Sequence, residues 1–223
     1  MASKIPRALR ELALATKGFM PPDEGDALFD AASEACRAKP GLPLVEIGTY
    51  CGRSTVWLGA AAKKNNSVLF SVDHHFGSEE NQRGWPWHDD SLVDAQTQKL
   101  NTLPEFLRTL RQSALGDAVV PVVSDSGLFG GQFSTPLAFL FIDGGHGDTP
   151  TRRDYQTWTP KIAVGGYLAI HDVFADPKDG GQAPHDFIYR PALDSGLFTQ
   201  VSAAGSLRVL RRRSADHPSS SSS

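Results

Sequence analysis

The sequence predicts a doubly wound α/β fold: a mostly parallel sheet covered by helices on both faces, with N-terminal helices before it and a C-terminal antiparallel hairpin after it. Three observations predict it. Five short apolar runs, at 42–47, 67–72, 119–123, 137–142 and 167–170, alternate with helical stretches. Each is apolar on consecutive positions, as parallel strands buried on both faces are. Each is followed by a small or charged residue, and in such sheets the ligand crevice lies outside the carboxyl ends of the strands.

In chain order, residues 5–16 place Ile5, Leu9, Leu12 and Ala13 on one helical face. Pro21 and Pro22 break the chain. A second helix is expected over 23–38, with Asp23 as N-cap and Leu28, Phe29, Ala32 and Ala35 turned inward, ending before Pro40-Gly41. The connection between the second and third strands is long, 74–118. Its first part, HHFGSEENQRGWPWHDD, is polar and aromatic; its second, 91–113, reads as helix. An insertion of this kind beside the crevice, at about 74–92, is either a substrate lid or a packed surface loop. A last helix is expected over 186–195 after Pro184. The stretches 198–201 and 207–210 alternate around Ala203-Ala204-Gly205-Ser206 as a hairpin. The tail 214–223 ends HPSSSSS and is expected to be disordered, leaving one domain over 1–213.

Composition excludes several classes. The 223 residues are 40% hydrophobic and 21% charged, enough for one core without disulfides or structural metal. A net charge of −3, from 22 basic and 25 acidic residues, argues against a nucleic-acid surface. The one basic run, Arg211-Arg212-Arg213, reads as a solvated strand end. Cys36 and Cys51 form no CxxC pair, which argues against a thiolate zinc site and fits a reduced, cytoplasmic protein. No apolar run nears the roughly 18–20 residues a membrane span needs. The N-terminus carries Arg10 and Glu11 mid-segment and reads as an amphipathic helix, not a signal peptide.

The strongest motif is Val45-Glu46-Ile47-Gly48-Thr49-Tyr50-Cys51-Gly52-Arg53-Ser54-Thr55, which follows a strand and opens a helix. Gly48 permits a tight turn and a close ligand approach. Gly52 and Ser54 lie where free helix N–H groups favour an anion. Glu46 is placed to order the loop or to touch a ligand amine. The glycines are spaced GxxxG, not GxGxxG, so the dinucleotide fingerprint is absent. Asp73, with His74 beside it, ends the second run, where an acid holds a nucleoside ribose. Ser124 and Asp125 end the third, suited to the base.

This motif order resembles the class I S-adenosylmethionine (SAM) dependent methyltransferases over about 42–173. EIGTYCGRST looks like their glycine-rich first motif, in the form of the metal-dependent O-methyltransferases. The resemblance implies a Rossmann-like fold and SAM bound by Glu46, Gly48, Tyr50, Gly52, Ser54, Asp73, His74, Ser124, Asp125 and Asp143.

The fourth and fifth runs, LAFLFIDGGHGDTP and GGYLAIHDVF, end in Asp143 and Asp172. Neighbouring strand tips would bring these carboxylates together, and two carboxylates plus waters suit Mg²⁺. The resemblance implies the same metal site. It often has Asp-Asn at the fifth strand, whereas here His171-Asp172 is followed by Val173, so His171 joins the set as a ligand, an orienting residue or a packed one. His146, within Gly144-Gly145-His146-Gly147, is the candidate general base for methyl transfer to a hydroxyl. Trp85 and Trp87 are either acceptor-stacking residues or core. VDHHFGSEENQRGW, with FIDGGH and IHDVF, is similar to sugar 1-O-methyltransferases of actinobacterial methylmannose polysaccharide synthesis. That resemblance implies a short 3-O-methylated mannoside as acceptor. A natural-product sugar or a phenol stands as the alternative acceptor. A nicotinamide-dependent oxidoreductase and a non-catalytic SAM-binding partner stand as alternatives from other classes. A homodimer through the N-terminal helices or the hairpin is expected, with no nucleic-acid or membrane partner.

Overall fold

A computed structural model describes residues 4–145 and 147–214. His146 and most of the serine-rich tail lie outside the described residues. Seven strands form one sheet, in the order β3-β2-β1-β4-β5-β7-β6. Strands β1 (Leu44–Ile47), β2 (Leu69–Asp73), β3 (Val119–Val123), β4 (Leu137–Ile142) and β5 (Ile162–Ile170) are parallel. β6 (Phe198–Ala204) and β7 (Leu207–Arg212) form the antiparallel hairpin, with β7 against β5. The expected mixed α/β sheet is therefore the observed one. The order reverses between β1 and β4, and at such a switch point the tips of β1 and β4 part to leave a crevice.

Side-chain alternation divides the core between the two faces. Phe139 and Phe141 of β4 face α1 (Arg7–Ala15), α2 (Pro22–Ala38) and α3 (Arg53–Lys64), where Trp57 is fully buried. Leu140 and Ile142 face α6 (Asp148–Trp158), with Trp158 fully buried. α5 (Ser126–Gln132) packs beside α6, and α7 (Arg190–Asp194) follows one π-helical turn, His185–Tyr189. Among the described residues no helix is long and apolar enough to cross a membrane.

Four expectations are corrected. Asp23 is not the cap of α2, because Pro22 occupies the first helical position with its pre-set φ and missing N–H. The stretch 91–113 is helical only in α4 (Leu103–Ser113). Ahead of it the Asp94 carboxylate accepts from the Gln96 and Thr97 N–H groups and folds a turn, and Val93 bridges to Leu100. β3 is not buried on both faces. It is an edge strand with Val120 and Val123 exposed, and Pro121 in it is the kind of residue an edge tolerates. β5 begins at Ile162, ahead of the expected start, and a bulge against β4 absorbs the extra residues.

Phe139, fully buried at the centre of β4, tests this core directly. Phe139→Ala should cost about 3–5 kcal/mol, read as a lower urea midpoint with an unchanged slope.

Candidate active site

Local backbone geometry sets the loop between β1 and α3. Gly48, Tyr50 and Gly52 all take positive φ (84°, 48° and 92°). A Cβ on Gly48 would lie 2.2 Å from the Asp143 carbonyl oxygen, so only glycine lets the β1 and β4 tips approach this closely. Asp73 fixes the loop from the β2 tip. One of its oxygens accepts from the Thr49 and Tyr50 N–H groups, both at 2.9 Å, and the other from the His75 N–H at 2.7 Å. The second oxygen, with one N–H donor, has a further lone pair, so Asp73 keeps acceptor capacity beside the cleft it lines.

Glu46 is fully buried behind the loop. Its carboxylate accepts from Ser54 at 2.6 Å, Thr55 at 2.7 Å and Ser71 at 2.9 Å. Burial pushes its pKa up to about 7 against the opposing pull of these hydroxyls. Of the two roles open to Glu46, this geometry is that of ordering the loop. The Ser54 hydroxyl is committed to Glu46, so the anion donors nearest the loop are the backbone N–H groups that open α3.

The β-strand tips surround one cleft of about 850 Å³. Gly48, Tyr50, Ser54, Asp73, His74, Ser124, Asp125, Asp143 and Asp172 line it; Glu46, Gly52 and His171 do not. At the β3 tip Asp125 caps α5 through the Leu128 N–H and pairs with Arg153 at 2.6 Å. The His74 Nδ1 accepts from the Phe76 N–H at 3.0 Å, which leaves Nε2 to carry the proton of the neutral ring.

The β4 and β5 tips meet at a buried ion cluster. His171 Nδ1 donates to Asp143 at 3.0 Å and lies 3.3 Å from Asp172, and Nε2 donates to Glu24 at 2.7 Å. Burial by itself would lower the His171 pKa, but the three carboxylates outweigh it and raise the pKa well above the usual imidazole range. Glu24 also accepts from the Ser206 N–H at 2.7 Å. Asp172 holds its place with a positive φ of 54°.

Ligand atoms of Asp143, His171 and Asp172 lie within 4.8 Å of one another. The donor set fits a hard divalent cation through the two carboxylates, whose side chains are 22% and 25% exposed. Both nitrogens of His171 face carboxylates, so its geometry is that of a residue holding the two acids in place.

Trp85 and Trp87, for which core packing was one reading, are 47% and 54% exposed and line the cleft. The insertion is also packed, through Leu92, Leu100 and Cys51. Sequence reasoning missed four residues of this region. Glu24 and Ser206 complete the ion cluster from α2 and the hairpin turn. Asp154 lines the cleft, bonds Ser126, and is pushed up to about 6 by burial. Phe19 stands beside Trp87. Only Asp154 had a local signal, as an acid amid the otherwise packed face of a helix after β4.

Residues 45–173, more than half of the chain, match the family model of the methyltransferase domain, and the chain belongs to that family. Its fold is similar to three solved structures at low identity. The SAH-bound methyltransferase PaMTH1 of Podospora anserina is 13% identical with a TM-score of 0.64, over 96% of this chain and 91% of that one. The O-methyltransferase TomG of Streptomyces achromogenes, involved in tomaymycin synthesis and solved with SAM, is 15% identical with a TM-score of 0.61, over 94% and 91%. The O-methyltransferase NovP is 17% identical with a TM-score of 0.62, over 86% and 81%. Membership of a methyltransferase family disfavours the nicotinamide-dependent oxidoreductase.

Glu46 gives a pH test. Its folded pKa is raised from 4.5 to about 7. The folded state therefore binds the extra proton between those values, and this contribution is complete below pH 4.5 and lost as pH rises through 7. Glu46→Gln removes the titration. Wild-type stability minus that of Glu46→Gln, from urea unfolding, should fall by about 3 kcal/mol between pH 4 and pH 8.

Proposed function

We propose that this protein is a SAM-dependent O-methyltransferase that works with Mg²⁺ on a small hydroxylated acceptor. The observation that carries this reading is convergence: the family's glycine-rich loop and the Asp143–Asp172 carboxylate pair open into the same cleft. Its volume of about 850 Å³ is near the top of the usual ligand-site range of about 300–1,000 Å³, which suits a nucleoside cofactor with a small acceptor beside it. The SAM-bound and SAH-bound fold neighbours support the cofactor assignment.

SAM supplies an activated methyl group; the chain must supply alignment and a destination for the acceptor's proton. Asp73 and Glu46 hold the loop 48–52 rigid, which fixes where the methyl donor sits. Asp143 and Asp172, steadied by His171, present oxygens toward the acceptor end of the cleft. Mg²⁺ held by these two acids would supply Lewis acidity and lower the pKa of the acceptor hydroxyl. His146 follows Asp143 by three residues on a glycine-flanked loop and is assigned as the general base on that sequence position.

The preferred acceptor is the reducing-end 1-hydroxyl of a short 3-O-methylated mannoside. The resemblance of the 72–85 stretch supports it, and so do two exposed tryptophans beside Glu79 and Asn81, a mixture of apolar faces and hydrogen-bonding groups suited to a sugar.

Methyl transfer from labelled SAM to a 3-O-methylated mannoside should require Mg²⁺ and stop in EDTA. Asp143→Asn and Asp172→Asn should each lose about 100-fold or more in activity. His146→Ala should lose about 10²–10⁴-fold in kcat while keeping its affinity for SAH. Full activity in EDTA would overturn the metal assignment, near-normal turnover of His146→Ala the base, and absence of transfer to any hydroxyl the whole reading.

A further inference from the structure

Three aromatic rings from distant parts of the chain meet at the mouth of the cleft. Phe19 lies on the linker between α1 and α2, Tyr50 in the glycine-rich loop and Trp87 in the long insertion. Phe19 packs edge-on against Trp87 at 5.2 Å and tilted against Tyr50 at 5.4 Å. It nevertheless stays 53% exposed, and Trp87 54%. Large rings that pack on each other yet leave half their surface in a cleft make an apolar wall that folding itself does not cover.

The linker is held in this position from both sides. Lys17 Nζ reaches Asp89 at 2.5 Å and Ser91 at 2.6 Å on the insertion. The Arg53 guanidinium donates to the carbonyls of Thr16 and Gly18. Phe19 is thus presented by a tethered segment.

Charge in the cleft is one-sided. Among the described residues, its lysines and arginines are Lys17, Arg53 and Arg153; Lys17 pairs with Asp89 and Arg153 with Asp125, while Arg53 reaches the two carbonyls through one terminal nitrogen and its buried Nε has no hydrogen-bond partner. Glu79, Asp154 and Asp179 line it in addition to the Asp143–Asp172 pair. Away from Arg53 and from a Mg²⁺ held by Asp143 and Asp172, a phosphate or carboxylate on the acceptor would meet acids, and the two other cations are already paired.

We propose that Phe19 is a specificity-determining residue: with Trp87 it forms the wall on which a neutral, unphosphorylated pyranose lays its C–H face, while the acidic remainder of the cleft turns anionic acceptors away. This rests on the O-methyltransferase reading above. The hydroxyls of such a sugar face the acids, which accept hydrogen bonds from them, and its apolar face covers the rings.

The test compares methyl transfer to a neutral 3-O-methylated mannobiose and to the same compound carrying a 6-phosphate, for wild type, Phe19→Ala and Phe19→Trp, with SAH binding followed by calorimetry. Wild type should prefer the neutral acceptor by about tenfold or more in kcat/KM. Phe19→Ala should raise the KM for it about three- to tenfold, with kcat and SAH affinity within about twofold of wild type. Phe19→Trp should restore the KM. An unchanged KM in Phe19→Ala overturns the wall, and equal use of the phosphorylated acceptor overturns the exclusion of anions. If wild type binds SAH and methylates only phenols, the sugar class falls and the methyltransferase reading stands. If it binds no SAH, that reading falls and takes this inference with it.

Discussion

Three carboxylates, from Glu24, Asp143 and Asp172, converge on the buried ring of His171, and most of the site's geometry follows from that contact. Adjacent parallel strands lie about 4.8 Å apart, so acids at the tips of β4 and β5 are forced close together. Two like charges at that distance repel unless a cation stands between them. His171 stands there, and Asp143 first, then Asp172 and Glu24, favour its charged form despite burial. The cluster also ties together four elements. α2 brings Glu24, β4 brings Asp143, β5 brings His171 and Asp172, and the β6–β7 turn brings Ser206. Removing one member of such a buried set strands the others without compensation, which is why α2 and the hairpin turn belong to the site.

A second constraint links this acid pair to the glycine-rich loop. Gly48 lies directly against the Asp143 backbone, so the loop's path and the position of the β4 tip are one geometric fact. Asp73 then fixes the loop from the β2 side, and Glu46 from beneath. On the proposed function, a methyl donor held by this loop and an acceptor held near Asp143 would thereby be registered against each other by backbone contacts, as an in-line transfer requires.

The sheet was legible because parallel strands buried on both faces leave continuous apolar runs. β1 and β4 read this way and are buried throughout. β3 reads the same but lies at the edge, because strand order is a property of topology and the run VVPVV does not contain it, apart from the hint of Pro121. The expected helix over 91–113 took Leu92 and Leu100 as helical positions, whereas both are buried by a turn that Asp94 organises. The strand-tip residues of the candidate site were legible for the same reason as the strands. Glu24 was not, since an acid in a first helical turn has an ordinary explanation in the helix dipole and its partner lies 147 residues away. Phe19 was hidden likewise, its significance depending on a linker tethered by Lys17 and Arg53 to segments far along the chain.

The central claim is that the cleft at the β1–β4 switch point is a SAM site joined to a divalent-cation site. Titration calorimetry of the purified protein with SAM and with SAH, each in Mg²⁺ and in EDTA, tests it most directly. The account predicts saturable one-site binding of both ligands, retained in EDTA because the loop that holds them is fixed by Asp73 and Glu46. Absence of binding for both ligands in either condition would contradict it.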